Sequence, residues 1–163
     1  MSDDLAELKA RLRRLEDKEA ILATISRYSH TLDYGPAEGW ADCFTPDGAF
    51  DIRRGQETGP KRSYSGKTLT QGAADLLEFA RKHPVAPGEF QKHISMVPHF
   101  VEIGAETAEV HCYFLILHEK KGTPGNTYSG RYIDHMQRCA DGVWRFKLRV
   151  AEITGTTDDA SLL

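Results

Sequence analysis

The sequence has little that would suggest a nucleic-acid-binding, membrane or secreted protein. It has no surplus of positive charge, since 24 acidic against 21 basic residues give a net charge of −3 with interspersed signs. A nucleic-acid-binding domain would show a basic patch or stripe. No apolar run reaches the roughly 20 residues that a membrane-spanning helix needs, and residues 1–14 lack the apolar core of a signal peptide. We therefore expect a cytoplasmic protein without nucleic-acid or membrane partners.

Cysteines and cofactor motifs are also scarce. The three cysteines, Cys43, Cys112 and Cys139, are widely separated and form no CxxC pair. An odd number of distant cysteines is typical of reduced thiols rather than of a disulfide framework or a zinc ribbon. The seven histidines show no HExxH or His-x-His spacing, and no phosphate loop or nucleophile elbow occurs. The sequence therefore predicts neither a metal site nor a cofactor.

What is present fits a single domain over residues 1–163. At this length one domain buries about two-thirds of the surface of its unfolded chain. Leucines at positions 5, 8, 12 and 15 recur at heptad-like spacing within a charged segment, but there are too few heptads to establish a coiled coil. We interpret 1–16 as an N-terminal helical arm suited to packing on a partner subunit, 17–155 as the core and 156–163 as a tail.

The order of predicted elements indicates an α+β fold. Residues 3–33 and 37–44 are helical in pattern, 49–52 form a short strand, and 53–67 form a loop, with a short strand at Tyr64 as an alternative within it. A further helix begins at a Thr70 cap, runs through Ala80 and ends at His83-Pro84. Strands follow over about 91–103, 108–120, 128–139 and 143–153, with short turns between them. Helices followed by an antiparallel meander predict helices packed on one face of a sheet.

One strand indicates an oligomer. The run from Val110 to Leu117 is apolar on both parities, and a strand that is apolar on both sides must be covered on both sides. Because the helices cover one face only, we expect a homodimer or a higher homo-oligomer.

An acidic residue adjoins the apolar stripe of the first helix. Ile21, Ile25, Tyr28 and Leu32 recur at helical spacing, and Asp33 follows directly. Burying a carboxylate beside an apolar stripe costs free energy unless the carboxylate is paired. Such groups tend to mark functional sites. The alternative is an exposed aspartate on the last helical turn. Tyr28 and Asp33 lie about 140° apart around a helix, so they share a pocket only if Asp33 lies beyond the last regular turn.

These features resemble a known family. Helices before a meander, Leu32-Asp33, a strand histidine and a last strand opening with the run from Asp141 to Trp144 resemble the SnoaL-like domains of the nuclear transport factor two-like superfamily. The scytalone dehydratase and bile-acid dehydratase branch is the most similar, over about Asp17 to Ile153. The resemblance implies a strongly curved, mostly antiparallel sheet forming a cone-shaped α+β barrel. The superfamily includes dehydratases, isomerases, polyketide cyclases, small subunits of ring-hydroxylating dioxygenases and non-catalytic binding domains.

The resemblance also implies candidate site residues. Tyr28 and Asp33 match a Tyr-x-x-x-Leu-Asp segment of the bile-acid dehydratases, and His93 falls where that branch keeps a catalytic histidine. His118 and Arg149 match pocket residues less closely. These two, with His99 and Trp40, are the candidates for substrate binding.

Strand parity bears on the weaker candidates. His99 shares parity with His93, which would place both on one face, or His99 lies where the strand bends at Pro98. His118 has the opposite parity to His111, so at most one of these two histidines faces the cavity unless a bulge intervenes. Arg149 shares parity with Arg145 and Lys147, which favours a solvated charged face for Arg149.

The resemblance, together with these residues, implies a cofactor-independent lyase or isomerase acting on a small hydrophobic ring compound. His93 would abstract a proton from carbon, Asp33 would orient the imidazole, and Tyr28 would stabilise oxyanion charge. Asp33 as the base, with His93 as a donor, is a variant that the sequence leaves open. Two alternatives are a hydrophobic-ligand-binding domain, which predicts no short contact between Asp33 and His93, and an accessory subunit resembling the dioxygenase small subunit.

Overall fold

The structure is a computed structural model, and it describes residues 2–55, 64–88, 91–120 and 123–156. Within these ranges the helices are α1 (Ser2–Tyr34), α2 (Ala37–Ala41) and α3 (Ala73–Lys82). The strands are β1 (Phe44–Gly55), β2 (Tyr64–Gln71), β3 (Gln91–Ile103), β4 (Thr107–Lys120), β5 (Thr123–Arg138) and β6 (Trp144–Thr156). The predicted tail beyond residue 156, and residues 56–63 of the predicted loop, lie outside the described residues.

The six strands form one sheet in the order β2-β1-β6-β5-β4-β3. Neighbouring strands are antiparallel except for β1 and β6, which are parallel. Because α1 contacts both the edge strand β3 and the interior strand β6, the sheet curves around that helix. The predicted α+β fold is confirmed. The sheet does not close into a full barrel, since β2 and β3 remain separate edges among the described residues.

The first helix divides into an exposed arm and a buried half. Residues 4–16 are exposed, whereas Ile21, Ile25, Tyr28 and Leu32 are at most 5% exposed and face the sheet. Asp17 is the first buried residue of α1, and its carboxylate accepts hydrogen bonds from Arg138 and the Trp144 indole. None of the described helices has the length and apolar character needed to cross a membrane.

The segment before α3 differs from the sequence prediction. Thr70 does not cap a helix, because it belongs to β2 and pairs with Phe50 of β1. The chain turns from strand to helix at Gly72, whose φ of 86° is easily adopted by glycine, and α3 begins at Ala73. Leu76 and Ala80 bury the inner face of α3. The wrong prediction arose because a threonine before an apolar helix also suits a strand end.

Candidate functional site

A carboxylate and an imidazole form a buried pair where α1 meets the edge strand of the sheet. Asp33 lies in the last turn of α1, and His93 is the third residue of β3. Asp33 Oδ1 and His93 Nδ1 are 2.6 Å apart, and the His93 backbone N–H donates to Asp33 Oδ2 at 2.9 Å. Each side chain is 7% exposed. His93 therefore engages both carboxylate oxygens, which fixes the orientation of its ring.

Two recesses meet at this pair. The inner cavity, about 170 Å³, lies between the helices and the sheet, and the outer groove, about 350 Å³, lies between α1 and β3. His93 lines both recesses, Asp33 lines the outer groove, and Tyr28 lines the inner cavity. Tyr28 and Asp33 thus face different recesses, as their angular separation on a helix requires, and His93 connects the two.

The inner cavity is mostly apolar. Aliphatic and phenyl side chains supply most of its wall: Leu32, Phe50, Ile52, Phe79, Phe114, Ile116, Ala151 and Ile153. The polar groups that line it are Tyr28, His83, Gln91, His93, Tyr128 and Tyr132. A few polar groups within an apolar wall are typical of small-molecule sites.

His83 is the candidate residue that sequence reasoning missed. It follows α3, and in the sequence it was interpreted only as a helix stop before Pro84. Its ring centroid lies 5.3 Å from that of His93, and its Nε2 atom is buried without a hydrogen-bond partner among the described residues. Burial, reinforced by the neighbouring His93, lowers the pKa of His83 to about 4, so its imidazole is neutral near pH 7. No local spacing links residues 83 and 93 to residue 33.

A second buried ion pair lies deeper between helix and sheet. Arg149 forms two hydrogen bonds with Asp134, from Nε to Oδ1 at 2.7 Å and from Nη2 to Oδ2 at 2.9 Å, and both side chains are fully buried. The guanidinium carbon lies 4.1 Å, 3.9 Å and 4.2 Å from the ring centroids of Tyr28, Tyr132 and Phe146. Burial opposes the charge of Arg149, but the Asp134 carboxylate outweighs burial and raises the pKa of Arg149.

The two tyrosines beside Arg149 retain their protons over a wide pH range. Burial raises the pKa of Tyr132 to about 12 and that of Tyr28 well above its usual value. Their hydroxyl groups also interact with each other. Both phenols line the inner cavity, so each is a neutral hydroxyl donor at physiological pH.

The prediction from strand parity that Arg149 lies on a solvated face is wrong, because Arg149 is fully buried. In the β5–β6 ladder Met136 pairs with Phe146 but His135 pairs with Leu148, which leaves Lys147 as an extra residue in β6. One inserted residue exchanges the two faces of a strand. Lys147 is exposed, whereas Arg149, Ala151 and Ile153 are buried, and the last two line the inner cavity. Arg149 does not itself line the described cavity, and its predicted role in substrate binding stays a prediction.

The expectation that His99 shares a face with His93 is also wrong. Between Met96 and His99 the β3–β4 register shifts, and Val97 adopts a φ of 51°. This irregularity turns His99 outward, where it is exposed and pairs across strands with His111. The strand is irregular next to Pro98, in agreement with the alternative interpretation of His99.

The remaining candidates occupy intermediate positions. His118 is half-buried on the face of β4 that also carries Phe114 and Ile116, and its Nδ1 has no hydrogen-bond partner among the described residues. Trp40 is fully buried and stacks on Phe79, which lines the cavity. Neither His118 nor Trp40 lines the described cavity, and their substrate-binding roles stay predictions.

Three side chains at the site have the donor types of a metal centre. One nitrogen each of His83 and His93 and one carboxylate oxygen of Asp33 lie within 4.8 Å of one another. Two imidazoles and a carboxylate suit zinc or ferrous ions. The Asp33–His93 contact is already a direct hydrogen bond, so a cation that uses the same atoms must replace that bond. The prediction of no metal stays a prediction.

Comparisons with known proteins identify the family of this chain. The family model for the SnoaL-like domain matches residues 13–150. The chain belongs to the SnoaL-like family. A search of curated proteins finds no match.

Solved structures share the fold of this SnoaL-like domain. An NTF2-like protein with a cystatin-like fold from Novosphingobium aromaticivorans is 25% identical, with a TM-score of 0.77 over 98% of this chain and 94% of that chain. A protein of unknown function from Mycobacterium tuberculosis is 24% identical, with a TM-score of 0.72 over 93% and 79%. A protein from N. aromaticivorans proposed to be the beta subunit of an aromatic-ring-hydroxylating dioxygenase is 16% identical, with a TM-score of 0.70 over 87% and 92%.

Proposed function

We propose that this SnoaL-like domain is a lyase or isomerase that removes a proton from carbon in a small, largely apolar ring compound. The observation that carries the proposal is the 2.6 Å contact between His93 Nδ1 and Asp33 Oδ1 at the edge of an apolar cavity. A carboxylate on Nδ1 holds the ring proton there and leaves Nε2 as the basic nitrogen. The same carboxylate stabilises the imidazolium ion that forms.

The recesses favour His93 over Asp33 as the base. Both Asp33 oxygens already accept hydrogen bonds from His93, and Asp33 lines the outer groove rather than the inner cavity. His93 is the member of the pair that reaches the cavity. The alternative in which Asp33 removes the proton would require the ligand to lie in the outer groove.

The reaction then proceeds as a proton transfer with a stabilised anion. His93 Nε2 accepts a proton from a carbon next to a carbonyl group, and the electron pair of the broken C–H bond moves onto the carbonyl oxygen. Tyr28, which burial keeps protonated, donates a hydrogen bond to that oxygen. The carbonyl group then re-forms in one of two ways. Either a C=C bond forms as the C–O bond of a hydroxyl group on the next carbon breaks, and His93 gives the proton to that group, which leaves as water, or the electron pair takes the proton from His93 at a second carbon of the ring.

The proposal is tested by exchange of carbon-bound hydrogen in D₂O. A panel of cyclic ketones and enones is incubated with the purified protein, and NMR follows deuterium entry beside the carbonyl group. Replacement His93→Gln should slow exchange by roughly 10²–10⁴-fold. The exposed His99→Gln variant is the matched control and should behave like the wild type. Equal exchange in wild type and His93→Gln, or none with any member of the panel, would contradict the proposal.

A non-catalytic binding domain is the weaker alternative, because it gives no reason for a short buried contact between Asp33 and His93. An accessory subunit is favoured by one observation, the likeness to the proposed dioxygenase beta subunit.

The leucines of the arm are exposed in the single chain, as is Tyr113 on the outer face of β4. We propose that a second copy of this chain covers them in a homodimer or higher homo-oligomer. Sedimentation velocity tests this, and a monomer at micromolar concentration would contradict it.

A further inference from the structure

The buried nitrogen of His83 needs an explanation. Its Nε2 atom is shielded from solvent and has no hydrogen-bond partner among the described residues. A buried polar atom without a partner costs about 1–3 kcal/mol, so such atoms are uncommon in native proteins and often have a functional role. His83 lines the inner cavity, so a molecule in that cavity can supply the missing partner.

The backbone places His83 firmly beside the catalytic pair. The His83 N–H bonds to the carbonyl of Ala80 at 3.1 Å, which closes the end of α3. Three residues later the Ala86 N–H donates to the Asp33 carbonyl at 2.9 Å, which fastens this segment to the end of α1. A nitrogen of His83 and a nitrogen of His93 lie within 4.8 Å of each other. The two imidazoles can therefore contact neighbouring atoms of one small ligand.

The surroundings select an uncharged ligand. His83 is neutral near pH 7, since burial and the nearby His93 lower its pKa to about 4. The Asp33 carboxylate stands beside both histidines, which disfavours an anion at this position. The cavity of about 170 Å³ is close to the roughly 150 Å³ that accommodates benzene in an engineered apolar cavity of another protein. One ring therefore fits.

We infer that His83 is, together with Tyr28, an oxygen-binding group of the inner cavity, and that its ligand is an uncharged single-ring compound with a hydroxyl or carbonyl oxygen next to the atom that faces His93. That the ligand atom facing His93 is the carbon that loses its proton rests on the proposed function. The hydrogen bond between that oxygen and His83 does not rest on it. His83 then contributes specificity, because a ring without the oxygen leaves its Nε2 atom unpaired.

Binding of two probes tests this inference without any turnover. Phenol and toluene are nearly equal in size and differ in the hydroxyl group, and their dissociation constants are measured by NMR titration at pH 7.5. The wild type should bind phenol about tenfold more tightly than toluene, as one net hydrogen bond allows. In His83→Leu this preference should disappear, while the affinity for toluene stays within about twofold. His83→Gln, which retains a polar group, should restore part of the preference.

Controls separate this inference from the proposed function. The exposed His99→Leu variant should keep the full preference for phenol. In the wild type, ring-nitrogen NMR should show the His83 signal shifting as phenol is added, which covers the case in which His83→Leu does not fold. If His83→Leu loses the preference for phenol over toluene and the wild type shows no exchange of carbon-bound hydrogen, the inference is sustained and the proposed function is contradicted.

Two results would overturn the inference. The first is an unchanged preference for phenol in His83→Leu, which would assign the oxygen to another polar group of the wall such as Gln91 or Tyr132. The second is a wild type that binds Zn²⁺ tightly but does not distinguish phenol from toluene, which would assign His83 to a metal centre.

Discussion

The Asp134–Arg149 pair and the Asp33–His93 pair are both buried in this protein, and they differ in what surrounds them. Asp134 and Arg149 are fully buried, are joined by two hydrogen bonds and are surrounded by three aromatic rings. Asp33 and His93 are joined as closely, but they lie between a cavity and a groove. Breaking an enclosed pair leaves a buried charge without its partner and destabilises the fold, whereas a pair with an atom facing a recess is available for chemistry.

The histidine pair also has a neighbour that the arginine pair lacks. His83 adds a second imidazole with an unpaired buried nitrogen beside His93. One guanidinium nitrogen of Arg149 is likewise buried without a hydrogen-bond partner among the described residues. That nitrogen, however, belongs to a cation whose three neighbouring ring faces stabilise positive charge. His83 and His93 therefore line a cavity, whereas Arg149 is enclosed by three aromatic rings.

The largest expected effect is on stability when the enclosed pair is broken. Arg149→Met leaves Asp134 buried without its partner, and this should lower the free energy of unfolding by about 3–5 kcal/mol. The double variant Asp134→Leu with Arg149→Met removes both charges and should recover most of that loss. Urea denaturation measures both variants. A loss below about 1 kcal/mol in Arg149→Met would show that the ion pair does not hold the fold together.

The second prediction concerns the open pair, where activity should respond more than stability. Asp33→Asn keeps an acceptor for the His93 backbone N–H but loses the charge that stabilises the imidazolium ion. We expect roughly 10²-fold slower carbon exchange, with the free energy of unfolding lowered by about 1–2 kcal/mol. NMR exchange and urea denaturation on the same preparation give both values. A stability loss as large as that of Arg149→Met would remove the distinction between the pairs.

The smallest expected effect is a pH dependence carried by His83. The pKa of His83 is about 4 in the folded protein and 6.5 in the reference state, so the unfolded chain binds the proton more readily between these values. The free energy of unfolding should therefore fall as pH decreases from 6.5 to 4. After allowance for partial exposure, His83 contributes about 1 kcal/mol to this fall.

His83→Gln isolates this contribution, since the other titrating groups are common to both proteins. Urea denaturation of the wild type and of His83→Gln at several pH values should show the free energy of unfolding of the wild type falling relative to that of the variant as pH falls through this range. A difference between the two proteins that is constant with pH would mean that the folded protein does not depress the pKa of His83.

Much of the fold was readable in the sequence because it depends on local patterns. Apolar residues at helical spacing predicted the buried half of α1, and the runs after residue 90 predicted β3 to β6. The resemblance on Leu32-Asp33 and a strand histidine correctly anticipated the family. The sequence was less informative at β2, where a polar, glycine-containing segment predicted a loop with at most a short strand at Tyr64. The strand runs from Tyr64 to Gln71 and pairs with β1.

The faces of individual strands depended on the tertiary structure. Lys147 in β6 and the residues around Val97 in β3 are irregularities that reverse strand parity, and they turn Arg149 inward and His99 outward. An extra residue in one strand is defined by the register of its partner, so its own sequence does not reveal it.

The sequence by itself determined the helices and most of the strands, which follow from residue spacing. It also identified Asp33, which adjoins the apolar stripe of α1, and His93, which the family resemblance implied. The tertiary structure decided which side chains meet. It brought His93 to Asp33 across 60 positions, added His83 beside them, and enclosed Arg149 among aromatic rings. The physical reason is that contacts between distant residues are set by how α1 and α3 pack against the curved sheet, and local spacing carries no record of that packing.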